Sequence, residues 1–421
     1  MMPRPVARWA GPALAAVLLL AGGAGLFAWL SREAAPVEAP ALPERPPLVV
    51  VQDLPGLAAA LDAQALQGRF TGGVLVARGD RVLFRQVYGA ADRATGAPIR
   101  LDSRFRLASV SKQFTAAAIL RLQDEGVLSV DDPLCRWIQP CPDAWAPVRL
   151  RHLMSHTSGV PDLMAQANWG RRRTLPTTLQ DLTTASGRYR LQFEPGTKVR
   201  YSNAGYNLLA AVVEAAAGME FHTWLQVNFF QPLGMADTGF DGTGTVVMGY
   251  ADLAGGLTPQ PNANVGVITG AGALYSTLDD LLVWNRALHG GGLLSPDSYA
   301  DMIRDHAPAD TPDERGRPRR DWGYGLVGNR LGDRVTPAFA DPQIYHTGSW
   351  SGFRNMVTHQ PEAGVTVIVL SNHFHRRAEV FLISQQAMAE ALGRPFPTAL
   401  ADPSRPGAAT VPPDRATRRE P

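Results

Sequence analysis

The sequence predicts an α+β protein in which an antiparallel sheet is flanked by helices and joined to a helical subdomain. Near the N-terminus, two strand-like runs meet at a Gly79-Asp80 turn in "GGVLVARGDRVLFRQVYG". Near the C-terminus, strand-like runs return in "QIYHTG", "FRNMVTHQ" and "GVTVIVLSN". Helical segments and long loops occupy the middle. We therefore expect both ends of the chain to build one sheet, with the helical part beside it and a cleft between the two.

The first 30 residues are interpreted as a membrane-targeting segment. An uncharged run of 22 residues, Trp9 to Leu30, follows Arg4 and Arg8. As a helix it spans about 33 Å, enough to cross a bilayer, and the arginines before it favour an external location for the rest of the chain. We favour an uncleaved anchor; the alternative is a cleavable signal peptide, because "AGGAG" offers small residues after a shorter apolar core. Either way, the protein is expected to be periplasmic or extracytoplasmic.

Composition and periodicity divide the rest of the chain. Pro, Ala and Glu dominate the segment after the anchor, and Pro, Ala and Arg dominate the C-terminal tail. The predicted divisions are a signal-anchor segment at 1–30, a linker at 31–52, a folded domain at 53–393 with a sheet part at 53–105 and 321–393 and a helical part at 106–320, and a disordered tail at 394–421. Apolar periodicity predicts helices at 53–68, 110–126, 148–156, 204–217, 277–289 and 376–392.

The overall composition indicates a globular protein, with 45% hydrophobic and 19% charged residues. A net charge of +2 gives no reason to expect nucleic acid as a partner. We expect a monomer that meets the membrane only through its N-terminal segment. Cys135 and Cys141 could form a disulfide in an oxidising exterior, the alternative being two buried thiols. Without a convincing histidine partner they do not indicate a zinc site, and no metal or cofactor is expected.

The stretch "RLASVSKQFTAAAIL" places Ser109 three residues before Lys112, on one face at the start of a helix. Only Lys112 and Lys198 are lysine among the 40 basic residues, so the chain otherwise uses arginine. Serine becomes a nucleophile when a base removes its proton. A lysine of lowered pKa can do this, whereas arginine stays protonated. Ser109 and Lys112 are therefore candidates for a nucleophile and its base, and the backbone N–H of Ser109 at the helix start could form half of an oxyanion hole.

Two further motifs lie later in the chain. Tyr201 and Asn203 precede a helix in "RYSNAGYNLL"; a phenol can relay a proton, and an amide can bind a substrate amide. His346, Thr347 and Gly348 end a strand in "IYHTGSWSGF", where glycine would let a substrate backbone lie close to the strand edge. Each motif alone is weak.

Together and in this order, Ser-x-x-Lys, Tyr-x-Asn and His-Thr-Gly resemble the serine β-lactamase and penicillin-binding-protein family. The surrounding segments "VLSVDDPL", "VRLRHLMSHTSGVPDL" and "PLGMADTGF" are similar in style. The resemblance is strongest to class C β-lactamases and D-alanyl-D-alanine carboxypeptidase-like serine hydrolases, and covers roughly residues 55–393. It implies a β-lactamase/transpeptidase-like fold and an acyl-enzyme mechanism without cofactor.

The resemblance also implies roles for individual residues. Ser109 would attack a carbonyl group, while Lys112 and Tyr201 share the work of the base and pass a proton to the leaving group. Asn203 would hold the acyl side chain. The backbone N–H groups of Ser109 and Ser349 would form the oxyanion hole.

The resemblance further implies that His346 and Thr347 face the carboxylate end of the substrate. β-Lactamases of this family usually have lysine at the position of His346, whereas histidine is mostly neutral at pH 7. The motifs therefore leave three substrates open: a D-Ala-type peptide, a β-lactam or a small ester. An acylation-based penicillin- or peptidoglycan-binding sensor with little turnover is the alternative function.

Overall fold

The computed structural model describes residues 48, 50–240, 245–260, 264–308 and 321–401. The strands are β1 Gly72–Arg78, β2 Arg81–Tyr88, β3 Ala90–Asp92, β4 Ala97–Pro98, β5 Phe105–Arg106, β6 Gly239–Phe240, β7 Gly249–Leu253, β8 Gly256–Gln260, β9 Leu274–Ser276, β10 Asp321–Trp322, β11 Val327–Asn329, β12 Val335–Thr336, β13 Gln343–Trp350, β14 Phe353–Gln360, β15 Val365–Ser371 and β16 Ala399–Leu400. Both ends of this region contribute to one seven-stranded antiparallel sheet, in the order β10-β11-β13-β14-β15-β1-β2. The predicted α+β class is confirmed.

Each of the six predicted helices is present, with shorter helices between them. The helices are α1 Pro55–Leu66, α2 Lys112–Asp124, α3 Leu150–Met154, α4 Trp169–Arg172, α5 Leu179–Ser186, α6 Asn203–Ala217, α7 Phe221–Leu225, α8 Thr269–Gly272, α9 Leu278–His289, α10 Pro296–Ile303 and α11 Arg377–Ala391. A short 3₁₀ turn, Ala108–Ser111, leads directly into α2.

The sheet separates two hydrophobic cores, because side chains alternate between the two faces of a strand. On β15, Val367 and Val369 pack into the core beneath α1 and α11. Ile368 and Leu370 face the larger core, which includes α2, α6 and α9. All seven residues of β15 are buried, as expected for a central strand covered on both sides.

The folded region extends beyond both predicted boundaries. The end of the predicted linker runs beside β2, where the N–H of Val51 donates to the carbonyl of Val82 (3.1 Å). The prediction of a disordered tail from Arg394 is wrong for residues 394–401. Arg394 forms an ion pair with Asp341 (2.8 Å), and β16 pairs with β12. Long-range pairing orders this segment, which composition alone cannot indicate.

The predicted signal-anchor segment, the linker up to residue 47 and the tail from residue 402 lie outside the described residues. Within the described ranges, no helix combines the length and apolarity needed to span a membrane. Cys135 and Cys141 form a disulfide, so the first of the two alternatives for this pair is the one observed.

Candidate active site

Ser109 lies on the 3₁₀ turn that precedes α2, and this turn packs against β13 and β14 of the sheet. The residue before it, Ala108, has a φ of 50°, a left-handed conformation that is uncommon for alanine. The turn is held on two sides. The N–H of Leu107 donates to the carbonyl of Leu274 (2.8 Å), and Asn355 on β14 donates through Nδ2 to the carbonyl of Arg106 (2.8 Å). Such a conformation persists where the surroundings determine it, which fixes the position of the serine.

Lys112 is fully buried at the first position of α2, and its ammonium group points back to Ser109. Its Nζ lies 3.3 Å from Ser109 Oγ and donates to Asn203 Oδ1 (2.7 Å) and the carbonyl of Ala271 (2.8 Å). Burial lowers the pKa of Lys112 to about 7, while the nearby Asp162 acts in the opposite direction. The lowered pKa makes the neutral amine accessible near neutral pH, as a general base requires.

The Tyr201 hydroxyl donates a hydrogen bond to Ser109 Oγ (2.8 Å). Burial raises the pKa of Tyr201 well above its usual value, and Asp162 also raises it, although the hydrogen bond to Ser109 acts against this. The phenol is therefore protonated at neutral pH. The ring packs against His156, with centroids 4.4 Å apart, and the Lys112 ammonium lies 4.7 Å from its centroid. Tyr201 can thus relay a proton but does not carry a standing negative charge.

Asn203 begins α6, where Ser202 caps the helix by accepting from the N–H of Gly205. Its Oδ1 accepts from Lys112, and its Nδ2 contacts Asp162 Oδ2 (2.9 Å) and Met164 Sδ (3.0 Å). Both ends of the amide are therefore engaged within the protein. The sequence predicted Asn203 as a substrate ligand, whereas the structure makes it a bridge between Lys112 and Asp162.

Sequence reasoning missed two residues of this cluster, Asp162 and His156. Asp162 comes from the loop before α4 and is the carboxylate that acts on Lys112. His156 adopts a left-handed φ of 61° and accepts the N–H of Ser202 at Nδ1 (3.2 Å). Both belong to "SHTSGVPDL", a segment that carries part of the family resemblance but has no local pattern that indicates contact with the Ser109 site.

The His-Thr-Gly motif lies on β13, and strand alternation separates its side chains. His346 is buried, with Nδ1 2.8 Å from the carbonyl of Thr347, whereas Thr347 is exposed on the opposite face. His346 and Thr347 therefore lie on opposite faces of β13, and the expectation that both contact the carboxylate end of a substrate stays a prediction. Successive side chains of a strand point to opposite faces, which explains why neighbouring residues of the motif are separated.

Gly348 serves a different purpose from the one predicted. A Cβ at this position would lie 2.1 Å from the carbonyl oxygen of Leu107. The close approach is therefore to the protein's own backbone beside Ser109, and not to a substrate. Because β11 pairs with β13 only as far as Tyr345, the edge from His346 to Trp350 has no strand partner on that side among the described residues.

A cavity of about 170 Å³ begins at Thr347, on the face of β13 away from His346. Ser349 shares this face and is paired with Arg354 on β14. The cavity is lined by Arg334, Tyr345, Thr347, Arg354, Asn355, Met356, Arg377, Val380 and Phe381. The side chains of three arginines thus line a small space next to the open strand edge.

A family model, curated relatives and a solved structure all resemble this chain. The family model described as Beta-lactamase matches residues 55–389. The chain is 30% identical to Penicillin-binding protein 4* of Bacillus subtilis (strain 168), over 72% of this chain and 68% of that protein. It is 31% identical to Esterase EstB of Burkholderia gladioli, over 76% and 91% of the two chains. A D-amino acid amidase from Ochrobactrum anthropi SV3, solved with L-phenylalanine amide, shares the fold with a TM-score of 0.69, 24% identity and coverage of 81% and 99%.

Proposed function

The chain belongs to the β-lactamase family of serine hydrolases, and on this premise we propose that it cleaves an amide or ester through an acyl-enzyme on Ser109. The observation that carries the proposal is the contact of Ser109 Oγ with both the Tyr201 hydroxyl and the Lys112 ammonium group. A nucleophile, a buried amine of lowered pKa and a protonated phenol meet at one oxygen. This set of groups suits acyl transfer.

In the acylation step, Ser109 Oγ forms a bond to the substrate carbonyl carbon while its proton passes to neutral Lys112, directly or through Tyr201. The carbonyl oxygen becomes an oxyanion, which the N–H groups of Ser109 and Ser349 would stabilise. The bond to the leaving amine or alcohol then breaks, and the proton returns through Tyr201 to that group. In deacylation a water molecule gives its proton to the same base, attacks the ester and releases the acid, and Ser109 regains its proton.

The substrate is proposed to carry a carboxylate beyond the scissile bond, as a D-Ala-type peptide does. The support is the cavity at Thr347, whose lining includes Arg334, Arg354 and Arg377. Guanidinium groups bind carboxylates in a planar, often bidentate geometry. These arginines would supply positive charge near the position at which the family usually has lysine and this chain has His346. A neutral ester would gain nothing from them.

The test compares three substrates on the purified protein: a peptide ending in D-Ala, the same peptide with its C-terminus amidated, and a neutral chromogenic ester. We expect kcat/KM to be highest for the free acid and to fall at least about tenfold for the amide, since loss of one charge-assisted hydrogen bond costs roughly 1.5–3 kcal/mol. Equal rates for acid and amide would contradict the carboxylate assignment. A preference for the ester would favour an activity like that in the name of the Burkholderia relative.

A fluorescent penicillin tests whether Ser109 is acylated, independently of which substrate the protein prefers. We expect a label that Ser109→Ala abolishes and that the wild-type protein slowly releases. A label that persists without product would instead support the acylation-based sensor. Label that survives in Ser109→Ala would refute the assignment of the nucleophile.

We also propose that the enzyme acts outside the cytoplasmic membrane. The support is the uncharged run from Trp9 to Leu30 behind Arg4 and Arg8, together with the disulfide between Cys135 and Cys141. Membrane fractionation with alkaline extraction tests the location. Retention in the membrane pellet indicates an anchor, release into the soluble exported fraction indicates a cleaved signal peptide, and recovery in the cytoplasm would refute export.

A further inference from the structure

Asp252, His373 and His375 form a second cluster of reactive side chains, outside the Ser109 site. Asp252 lies on β7, and the two histidines follow β15. One potential ligand atom from each residue lies within 4.8 Å of the others. We propose that these three side chains bind a zinc ion.

The backbone brings the three residues together independently of their side chains. The N–H of Tyr250 donates to the carbonyl of Asn372 (2.9 Å), and the N–H of Phe374 donates to the carbonyl of Tyr250 (2.8 Å). Strand β7 thus runs beside the segment after β15. This backbone pairing places Asp252 next to His375. The backbone of the fold therefore determines the position of the cluster.

The contact between His373 and Asp252 has the spacing expected of two ligands to one metal. His373 is 3% exposed, and its Nε2 lies 3.1 Å from Asp252 Oδ2, yet Nε2 makes no hydrogen bond of good geometry. Two ligands that each lie about 2.1 Å from a zinc ion are roughly 3.0–3.5 Å apart. A buried ring nitrogen without a hydrogen bond, directed at a carboxylate, is the atom that a cation would satisfy.

The third potential ligand, His375, already contacts the backbone of Asp252. His375 Nδ1 accepts the backbone N–H of Asp252 (2.9 Å), and zinc binding would replace this one hydrogen bond.

The donor set and the surroundings favour zinc over the harder cations. Two imidazoles and one carboxylate, with water in a fourth position, are ligands typical of zinc, whereas calcium and magnesium prefer oxygen alone. Asp252 is exposed, so the cation has a path from solution. The Arg376 guanidinium lies 3.6 Å from Asp252 Oδ2, so it has to give way when a cation binds.

A bound ion would fasten the β7–β8 hairpin beside the strand edge described above. Gly249 already packs against the turn between β13 and β14, where a Cβ would lie 2.8 Å from both Phe353 Cε2 and the carbonyl oxygen of Ser351. The hairpin therefore borders the end of β13. Zinc would raise the thermal stability of the protein by linking this hairpin to β15.

The experiment titrates zinc chloride into the full chain, previously stripped with a chelator, by isothermal titration calorimetry. We expect one ion per chain with micromolar or tighter affinity, and a visible absorption band when cobalt(II) replaces zinc. Asp252→Asn and His375→Ala alter exposed or half-exposed side chains and should fold normally. Each is expected to weaken binding by more than the 10–100-fold that loss of an outer-shell partner costs.

His222→Ala is the matched control, because His222 also contacts a carboxylate, Glu220 (2.7 Å), but belongs to no three-ligand group among the described residues. Its zinc affinity should equal that of the wild-type protein. Absence of zinc uptake would overturn the proposal. Equal affinity in Asp252→Asn, His375→Ala and the wild type would also overturn it.

Discussion

Replacing Asp162 by asparagine is expected to make the enzyme active at lower pH. Asp162 lies across the Asn203 amide from Lys112, and in its ionised form it favours the protonated amine. Burial raises the pKa of the Asp162 carboxyl, while hydrogen bonds from Met164 and Asn203 and the charge of Lys112 act to lower it. Burial lowers the pKa of Lys112 to about 7 in spite of this charge. A base works only when deprotonated, so activity falls as the pH falls through that pKa. Removing the charge lowers the pKa further and moves the acid limb of the pH profile downward.

The size of the shift follows from the geometry of the bridge. The two hydrogen bonds of 2.7 and 2.9 Å, with the amide between them, place the opposite charges roughly 7 Å apart. At an effective dielectric constant of about 20, their attraction is about 2.4 kcal/mol, and in bulk water it is about 0.6 kcal/mol. At 1.36 kcal/mol for each pH unit, the acid limb should move by roughly 0.4 to 1.7 pH units.

The assay follows kcat/KM, or the rate of acylation by a fluorescent penicillin, from acidic to alkaline pH at constant ionic strength. This profile reports the pKa values of the free enzyme. Asp102→Asn makes the same chemical change at an exposed carboxylate, paired with Arg100, and should leave the profile unchanged. An acid limb that stays in place or moves upward in Asp162→Asn would refute the role of this charge, whatever the change in maximal rate.

Three other substitutions test the remaining groups. Lys112→Arg keeps the positive charge but cannot lose its proton, so acylation should fall by about 10²–10⁴-fold; a near-normal acylation rate would remove Lys112 as the base. Tyr201→Phe removes the 2.8 Å hydrogen bond to Ser109 and should reduce kcat by a similar factor with a nearly unchanged melting temperature, whereas a loss confined to stability would indicate a packing role. Gly348→Ala places a methyl group against the Leu107 carbonyl and should destabilise the fold by about 1–3 kcal/mol or more in denaturant titrations. A fully stable Gly348→Ala variant would show that β13 can move away from the Ser109 turn.

Much of the sheet could be predicted from the sequence because its strands are locally marked. The Gly79-Asp80 turn identifies the first hairpin, and the apolar run of β15 indicates a strand buried on both faces. The end of the folded region could not be predicted in the same way. Strand β16 is short and depends on pairing with β12, more than 60 residues earlier, and such pairing leaves no local pattern.

Some residues of the candidate site could be predicted from the sequence, and others could not. Ser109, Lys112 and Tyr201 could be recognised because their chemistry is particular to their residue types, and the structure brings them together. Asp162 could not, because an aspartate after a proline is common in loops and its role exists only through the tertiary contact with Asn203. The opposite orientations of His346 and Thr347 could have been predicted from strand alternation alone.

The pairing of β1 with β15 has a consequence for the order in which this protein matures. Gly72 pairs with Ser371, roughly 300 residues later, so the sheet cannot close until almost the whole described region is available to fold. Contacts this distant in sequence form late in folding, because closing a long loop costs conformational entropy before the stabilising contact is made. The turn that carries Ser109 is held by Asn355 on β14, which also arrives late. A chain without β14 therefore has its serine but lacks the contact that fixes the turn, so the site is complete only when the C-terminal strands have joined β1.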